Sequence, residues 1–232
     1  MLSKFYKTAK NVDPKISNEQ NFCETYIDLN WGLIEYNRIS FINNATKNFN
    51  NCKYLEIGCE SNACFHSIFA KHKTGVDPVS GGNIKTTSDN FFISNKTIFD
   101  VIFIDGLHTY EQIRKDVQNS LDFLITGGFI FLHDLTPRSF LEENVPRLQN
   151  IWTGDVWKVA IELAKTKGIE FYVINADHGV GVLKKKDTRV LLFDDYLNLK
   201  TKRFKDFLKL NEAITYIEPE QANDFINKNY KS

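Results

Sequence analysis

The chain carries no excess of charge, no paired cysteines and no long apolar run, and each absence closes off a class of function. Lys+Arg and Asp+Glu both count 29 in 232 residues, so the formal charge at pH 7 is zero. A balanced chain lacks the basic field that gathers nucleic acid or anionic lipid, so neither a nucleic acid nor a membrane is expected as partner. No uninterrupted apolar stretch approaches the roughly 18 residues of a membrane span. The opening MLSKFYKTAKNVDPK has basic residues but no apolar segment of a secretion signal. Cys23, Cys52, Cys59 and Cys64 show no CxxC spacing. They are expected reduced and buried, and the chain cytoplasmic.

What is present suffices for one large core. Apolar residues make up 42% of the chain and aromatics 13%, which excludes global disorder. Residues 1–50 are Asn-rich with scattered aromatics and are expected to form an N-terminal helical extension, a lid or acceptor-binding cap. Within it, Phe22 to Phe41 would form one amphipathic helix or two. Residues 51–187 read as the core and residues 188–232 as a C-terminal helical extension, charged and periodic from Asp194 to Tyr230. Its basic run (Lys200, Lys202, Arg203, Lys205, Lys209) reads as a solvated helix face.

From Lys53 short apolar runs alternate with helical segments. KYLEI, TGVD, DVIFID and FIFLHD read as strands, each ending in a polar residue or at a glycine turn. Between the last two, Ile113, Val117, Leu121 and Leu124 fall at helical spacing, and Gly127-Gly128 is expected to stop that helix and launch the next strand. Residues 155–167 predict a further helix, followed by IEFYVI and GVGVLKK as closing strands. Runs apolar on both faces, such as VIFI and FIFL, belong in a parallel sheet with helical crossovers, so the pattern predicts a doubly wound α/β sheet.

Four strand ends carry chemistry. Glu56 stands two residues before Gly58 at a strand-to-helix turn, where a ligand can approach backbone. A dinucleotide fingerprint would place glycines where Glu60 and Asn62 stand, and an anion at Glu60 suits a cationic ligand better than a diphosphate. Asp77 follows the second strand, 21 residues after Glu56, where such folds hydrogen-bond a ribose diol. Asp105 and His108 follow the third; an imidazole with an ordinary pKa of about 6.5 can act as general base near neutral pH. His133-Asp134 end the fourth, and with Asp105 form a candidate set for a divalent cation.

In chain order the segments YLEIG (54–58), GVDP (75–78), TSDNFF (87–92), FDVIFIDGLHTYEQ (99–112), GGFIFLHD (127–134) and WTGDVWK (152–158) resemble class I S-adenosylmethionine-dependent methyltransferases. The branch they resemble most is that of bacterial small-molecule and macrolide-sugar O-methyltransferases. The resemblance covers about residues 53–185 and leaves both ends uncovered. It implies a Rossmann-like three-layer sandwich with a seven-stranded, mostly parallel sheet and an antiparallel last strand. It further implies that Glu56 and Gly58 border the methionine part of S-adenosylmethionine, that Asp77 holds its ribose and that Ser88 and Asp89 lie near its adenine. In the macrolide-sugar enzymes an Asp matching Asp105 and an acidic pair matching His133-Asp134 bind magnesium, and a His matching His108 is the base. Asp105 thus faces cofactor, metal and acceptor together. This chain departs from that pattern at His133, where an acid is expected, so the metal stays open.

The implied activity is methyl transfer to a hydroxyl of a small molecule, a sugar or glycan precursor, with Asp105 and His108 in catalysis and a homodimer as the favoured assembly. Two alternatives stand beside it: N-methylation with the same cofactor, and a non-catalytic S-adenosylmethionine-binding protein, motivated by the glycine-poor turn after Gly58. No chemistry assigns the WTGDVWK segment a role.

Overall fold

The computed structural model describes residues 2–10 and 13–228. Met1, Asn11, Val12 and residues 229–232 lie outside the described residues, and with them the end of the expected tail at Tyr230. The N-terminal segment differs from the helical extension expected of it. Strands β1 (Tyr6–Thr8) and β2 (Thr25–Ile27) pair antiparallel, with a single helical turn, α1 (Pro14–Ser17), between them. Thr25, Tyr26 and Ile27 are β-branched or aromatic and fit a pleated ribbon better than a helix. One helix follows, α2 (Arg38–Thr46), started by a capping box between Asn37 and Ser40.

The main sheet holds β3 (Lys53–Ile57), β4 (His72–Val76), β5 (Phe99–Ile104), β6 (Leu124–Leu132), β7 (Ile169–Ile174), β8 (Val180–Lys185) and β9 (Tyr216–Ile217). Their spatial order is β4-β3-β5-β6-β8-β7-β9. All pairings are parallel except those of β8 with β6 and β7, so β8 alone runs against the sheet. The seventh strand, β9, comes from the tail assigned to helices and follows the antiparallel strand in the chain. β6 starts at Leu124 and passes through Gly127-Gly128, with a register irregularity opposite Phe99–Val101. The two glycines therefore bend a strand instead of starting one.

Helices α3 (Ala63–Ser67), α4 (Ser88–Ser94), α5 (Tyr110–Asp122), α6 (Phe140–Glu143), α7 (Trp157–Lys165), α8 (Tyr196–Leu199), α9 (Phe204–Leu210) and α10 (Pro219–Asn227) complete the chain. Side chains alternate across the strands and so feed two cores. Ile102 and Ile104 of β5 face one core with Val117 and Leu121 of α5 and Trp157 of α7. Val101 and Phe103 face the other, with Phe41 of α2, Phe65 of α3 and Ile226 of α10. Fully burying a side chain of this size contributes about 1.5–3 kcal/mol, so these layers dominate the fold's stability. The four cysteines are free; three are buried and Cys23 is half-buried. Among the described residues no helix is long and apolar enough to cross a membrane.

Candidate active site

Parallel strands β3, β4, β5 and β6 all point their carboxyl ends the same way, so their terminal polar residues meet in one cleft of about 940 Å³. Glu56, Gly58, Asp77, Ser88, Asp89, Asp105, His108, His133 and Asp134, every site residue expected from sequence, line it.

At one end lies the turn after β3. Its backbone is left-handed at Gly58 (φ 83°), Glu60 (φ 44°) and Asn62 (φ 66°), so the glycine-poor sequence still adopts the shape that glycines would favour. Gly58 is irreplaceable on steric grounds, since a β-carbon there would lie 2.1 Å from the Asp105 carbonyl oxygen. The buried Glu56 carboxylate accepts from the Tyr54 hydroxyl. Burial pushes Glu56 up to about 7, against the lowering pull of its Tyr54 and Cys64 donors.

Asp77 is occupied. Its Oδ2 accepts from the backbone N–H of Cys59 and of Glu60, both at 3.0 Å, and its Oδ1 from those of Val79 and Ser80, both at 2.8 Å. Burial opposes its charge, but these donors outweigh it and hold the carboxyl below its ordinary range. A carboxylate offers about four acceptor positions. A ribose diol on Asp77 would therefore have to displace backbone N–H groups.

Ser88 and Asp89 begin α4, whose Thr87 side chain accepts from Asn90 N–H. They are tied to α5 by Gln112, whose amide donates to Ser88 Oγ (3.2 Å), Asp89 Oδ1 (3.0 Å) and Asp116 Oδ1 (3.1 Å). Gln112 and Asp116 also line the cleft and were missed in the sequence. Their signal was the four-residue spacing that puts both on one face of α5. Burial raises Asp116 to about 6.

The other end is a chain of alternating charge. Arg38 Nη1 donates to Asp177 Oδ2 at 2.8 Å, and His133 Nε2 lies 3.4 Å from Asp177 Oδ1. His133 Nδ1 then faces Asp105 Oδ1 (3.4 Å) and Asp134 Oδ2 (3.3 Å), and the same two carboxylates face His108 at 3.4 Å each. Burial lowers His133, but Asp134 and Asp105 outweigh it and raise the imidazole well above its ordinary value. His108 is raised for the same reason, chiefly by Asp105 after burial's opposing effect. Asp105 is held far below the carboxylate range by both imidazoles, against burial. Arg38 and Asp177 had no signal in the sequence.

The trio whose ligand atoms lie within 4.8 Å of one another is Asp105, His108 and Asp134. Two carboxylates and an imidazole suit a divalent cation. His133, expected in that set, stands beside it as an ion-pair partner of the same carboxylates, its second nitrogen turned to Asp177.

WTGDVWK turns out to hold His108. The Trp152 ring stacks on the imidazole at 5.2 Å and 17°, and the Trp152 carbonyl lies 3.2 Å from His108 Nδ1. Asp155 Oδ1 accepts from Tyr110 N–H at 2.7 Å, capping α5 in place of Thr109, whose side chain makes no cap bond. Asp155 is balanced by the fully buried Lys158 at 2.7 Å.

Residues 37–135 match the model of a family described as "Methyltransferase domain". No curated protein matches the chain. Among solved structures, the SAH-bound Podospora anserina methyltransferase PaMTH1 is 18% identical, with a TM-score of 0.45 over 58% of this chain and 72% of its own. The O-methyltransferase TomG from Streptomyces achromogenes, involved in tomaymycin synthesis and solved with SAM, is 10% identical, with a TM-score of 0.47 over 64% of this chain and 79% of its own. MycE of the mycinamycin pathway, solved with Mg, SAH and mycinamycin VI, is 14% identical, with a TM-score of 0.39 over 60% of this chain. This chain spans less than half of MycE, 46% of its length.

Proposed function

We propose that this chain, whose residues 37–135 match the model of a methyltransferase-domain family, moves a methyl group from S-adenosylmethionine to a hydroxyl of a small acceptor, a sugar or glycan precursor. The observation that carries this is the convergence of the Gly58 turn, Ser88-Asp89 and the Asp105/His108/Asp134 cluster on a single cleft. Glu56 and Gly58 border the methionine part, Asp77 holds the ribose, and Ser88 and Asp89 flank the adenine. Bound S-adenosylmethionine supplies a methyl group already made electrophilic by its sulfonium. The anionic strand tips favour that cation and disfavour a pyrophosphate.

The protein's own task is to align a nucleophile and accept its proton. His108 is the base. With its Nδ1 turned to the Trp152 carbonyl, its Nε2 is the atom that takes the acceptor's proton, beside Asp105 at 3.4 Å. A divalent cation such as magnesium would be held by Asp105 and Asp134, with His133 completing the set and His108 kept for the acceptor's proton, and would lower the hydroxyl's pKa. Asp105 then faces the cofactor, the cation and the acceptor.

Calorimetry with S-adenosylhomocysteine tests the reading at its root, with one site per chain expected. An acceptor found by screening with labelled methyl donor then reports turnover. His108→Ala should lower it by about 100-fold or more while cofactor affinity stays within about threefold. Loss of both together, or of neither, removes the base assignment. No binding of the homocysteine product removes the enzyme.

A further inference from the structure

The cleft carries far more negative charge than positive. Seven carboxylates line it, against two arginines, Arg38 and Arg147. Arg38 is taken up by Asp177. Arg147 is free of such a partner: among the described residues no carboxylate pairs with it, although it lines the same cleft. It lies in the segment between α6 and α7, where the backbone carbonyls of Gln149, at 2.7 Å, and Asn150 accept from its Nε and Nη2. Its guanidinium carbon stands 5.8 Å from the centre of the Trp152 ring. These contacts orient an exposed side chain before any ligand arrives, which lowers the rotamer entropy lost on binding. Nη1 has no partner among the described residues.

Trp152 links this cation to the base. The indole stacks on the His108 imidazole at 5.2 Å and meets the Arg147 guanidinium at 5.8 Å. Two ring contacts in series span about one sugar ring and its substituent. Trp152 Nε1 donates to the Asn144 carbonyl at 2.7 Å, which closes the neck of the segment and anchors the stack. An anionic acceptor meets carboxylates at the strand ends and an unpaired cation at Arg147, so its own charge decides which way round it enters.

We propose that Arg147 is a specificity-determining residue of the acceptor site, binding an oxyanion substituent, phosphate or carboxylate, of the sugar whose hydroxyl is presented to His108. A planar guanidinium with a free edge suits either oxyanion. This rests on the functional reading above and narrows its acceptor to an anionic one.

The test follows the arginine side-chain N–H signals of isotope-labelled protein, saturated with S-adenosylhomocysteine, during titration at low salt with inorganic phosphate and then with acetate. Arg147→Gln assigns the signal, and the exposed Arg189 is the internal reference. Arg147 should respond saturably to one of the two anions, with a dissociation constant at least about tenfold below that at Arg189. The tighter anion names the substituent. Equal responses at both arginines, or none at Arg147, overturn the proposal. Arg147→Gln should leave S-adenosylhomocysteine affinity within about twofold, whereas a loss of about tenfold would put Arg147 on the cofactor's own carboxylate and overturn the proposal as well. For the acceptor found by screening, Arg147→Gln should raise KM by about tenfold or more, with the loss in KM and not in kcat. An acceptor without an anionic group overturns the proposal. If the wild-type chain binds no S-adenosylhomocysteine, the functional reading fails, and the phosphate titration still decides whether Arg147 holds an anion.

Discussion

Gly154 lies against the backbone of His108: a β-carbon built on it would stand 1.9 Å from the His108 carbonyl oxygen. Its own φ of 64° is in the left-handed region as well. The segment that stacks Trp152 on the imidazole therefore also presses backbone on backbone, and the position of His108 is fixed from two sides.

Gly154→Ala must accept both a strained φ and a clash with main chain that has no rotamer to give. The expected cost is about 2–4 kcal/mol, adding left-handed strain to overpacking. Gly127 is the control. It too has a positive φ, 86°, but an added β-carbon there meets nothing within 4 Å. Gly127→Ala should cost about 1–2 kcal/mol, the backbone part alone. Urea unfolding measures both, with unchanged m-values. Equal costs would mean that the His108 loop yields to Gly154 and is not held by it.

A second prediction concerns pH. Glu143 is fully buried, with its Oε1 3.4 Å from the Trp157 Nε1 donor and no partner on Oε2. Burial raises it from 4.5 to about 7, although Lys158 pulls the other way. Between those values the folded chain keeps a proton that the unfolded chain has lost, so this group makes stability fall as pH rises through that window. Above the folded pKa the loss is complete. Glu143→Gln removes the titration. Its stability relative to wild type should climb between pH 5 and pH 8 by up to about 3 kcal/mol, at 1.36 kcal/mol per pKa unit. Denaturant midpoints at pH 5, 6, 7 and 8 measure this, and a pH-independent difference would show Glu143 charged in the fold.

The strand ends were legible because apolar runs give way to polar residues there: Asp77, Asp105 and His133-Asp134 directly follow β4, β5 and β6, and Glu56 is the next-to-last residue of β3. Topology then brought them together without further information. The charge chain behind them was not legible. Arg38 and Asp177 are 139 residues apart, and they meet only because β8 returns beside β6 and sets the hairpin turn over α2. That turn holds Asp177 and His178 at φ 47° and 62°, where a sequence rule would look for Asn-Gly, so its local signal was masked by the residues its contacts require. The N-terminal ribbon was hidden for a different reason. Three-residue strands carry too little alternation to outweigh the helical spacing of the aromatics around them. WTGDVWK was recognisable as a motif and opaque as chemistry, since Asp155 and Gly154 act on His108 and α5 across the fold.

The last prediction takes up the cation. Asp105, His108 and Asp134 offer ligand atoms within 4.8 Å of one another. A metal on Asp105 and Asp134 must displace the protons that these carboxylates favour on the imidazoles of His108 and His133, both of which are raised above their ordinary pKa. Binding should therefore release protons and tighten as pH rises. Titration with Mn²⁺, followed by its electron-spin signal in the absence of any acceptor, is expected to show about tenfold weaker binding at pH 6 than at pH 8. Asp134→Asn removes one of the two carboxylates and should weaken binding about tenfold or more at either pH. Asp89→Asn, at the adenine end of the same cleft, leaves the trio intact and should not change it. Binding that ignores both pH and Asp134→Asn would place the ion elsewhere. If no ion binds at pH 8, the hydroxyl must be activated by neutral His108 alone.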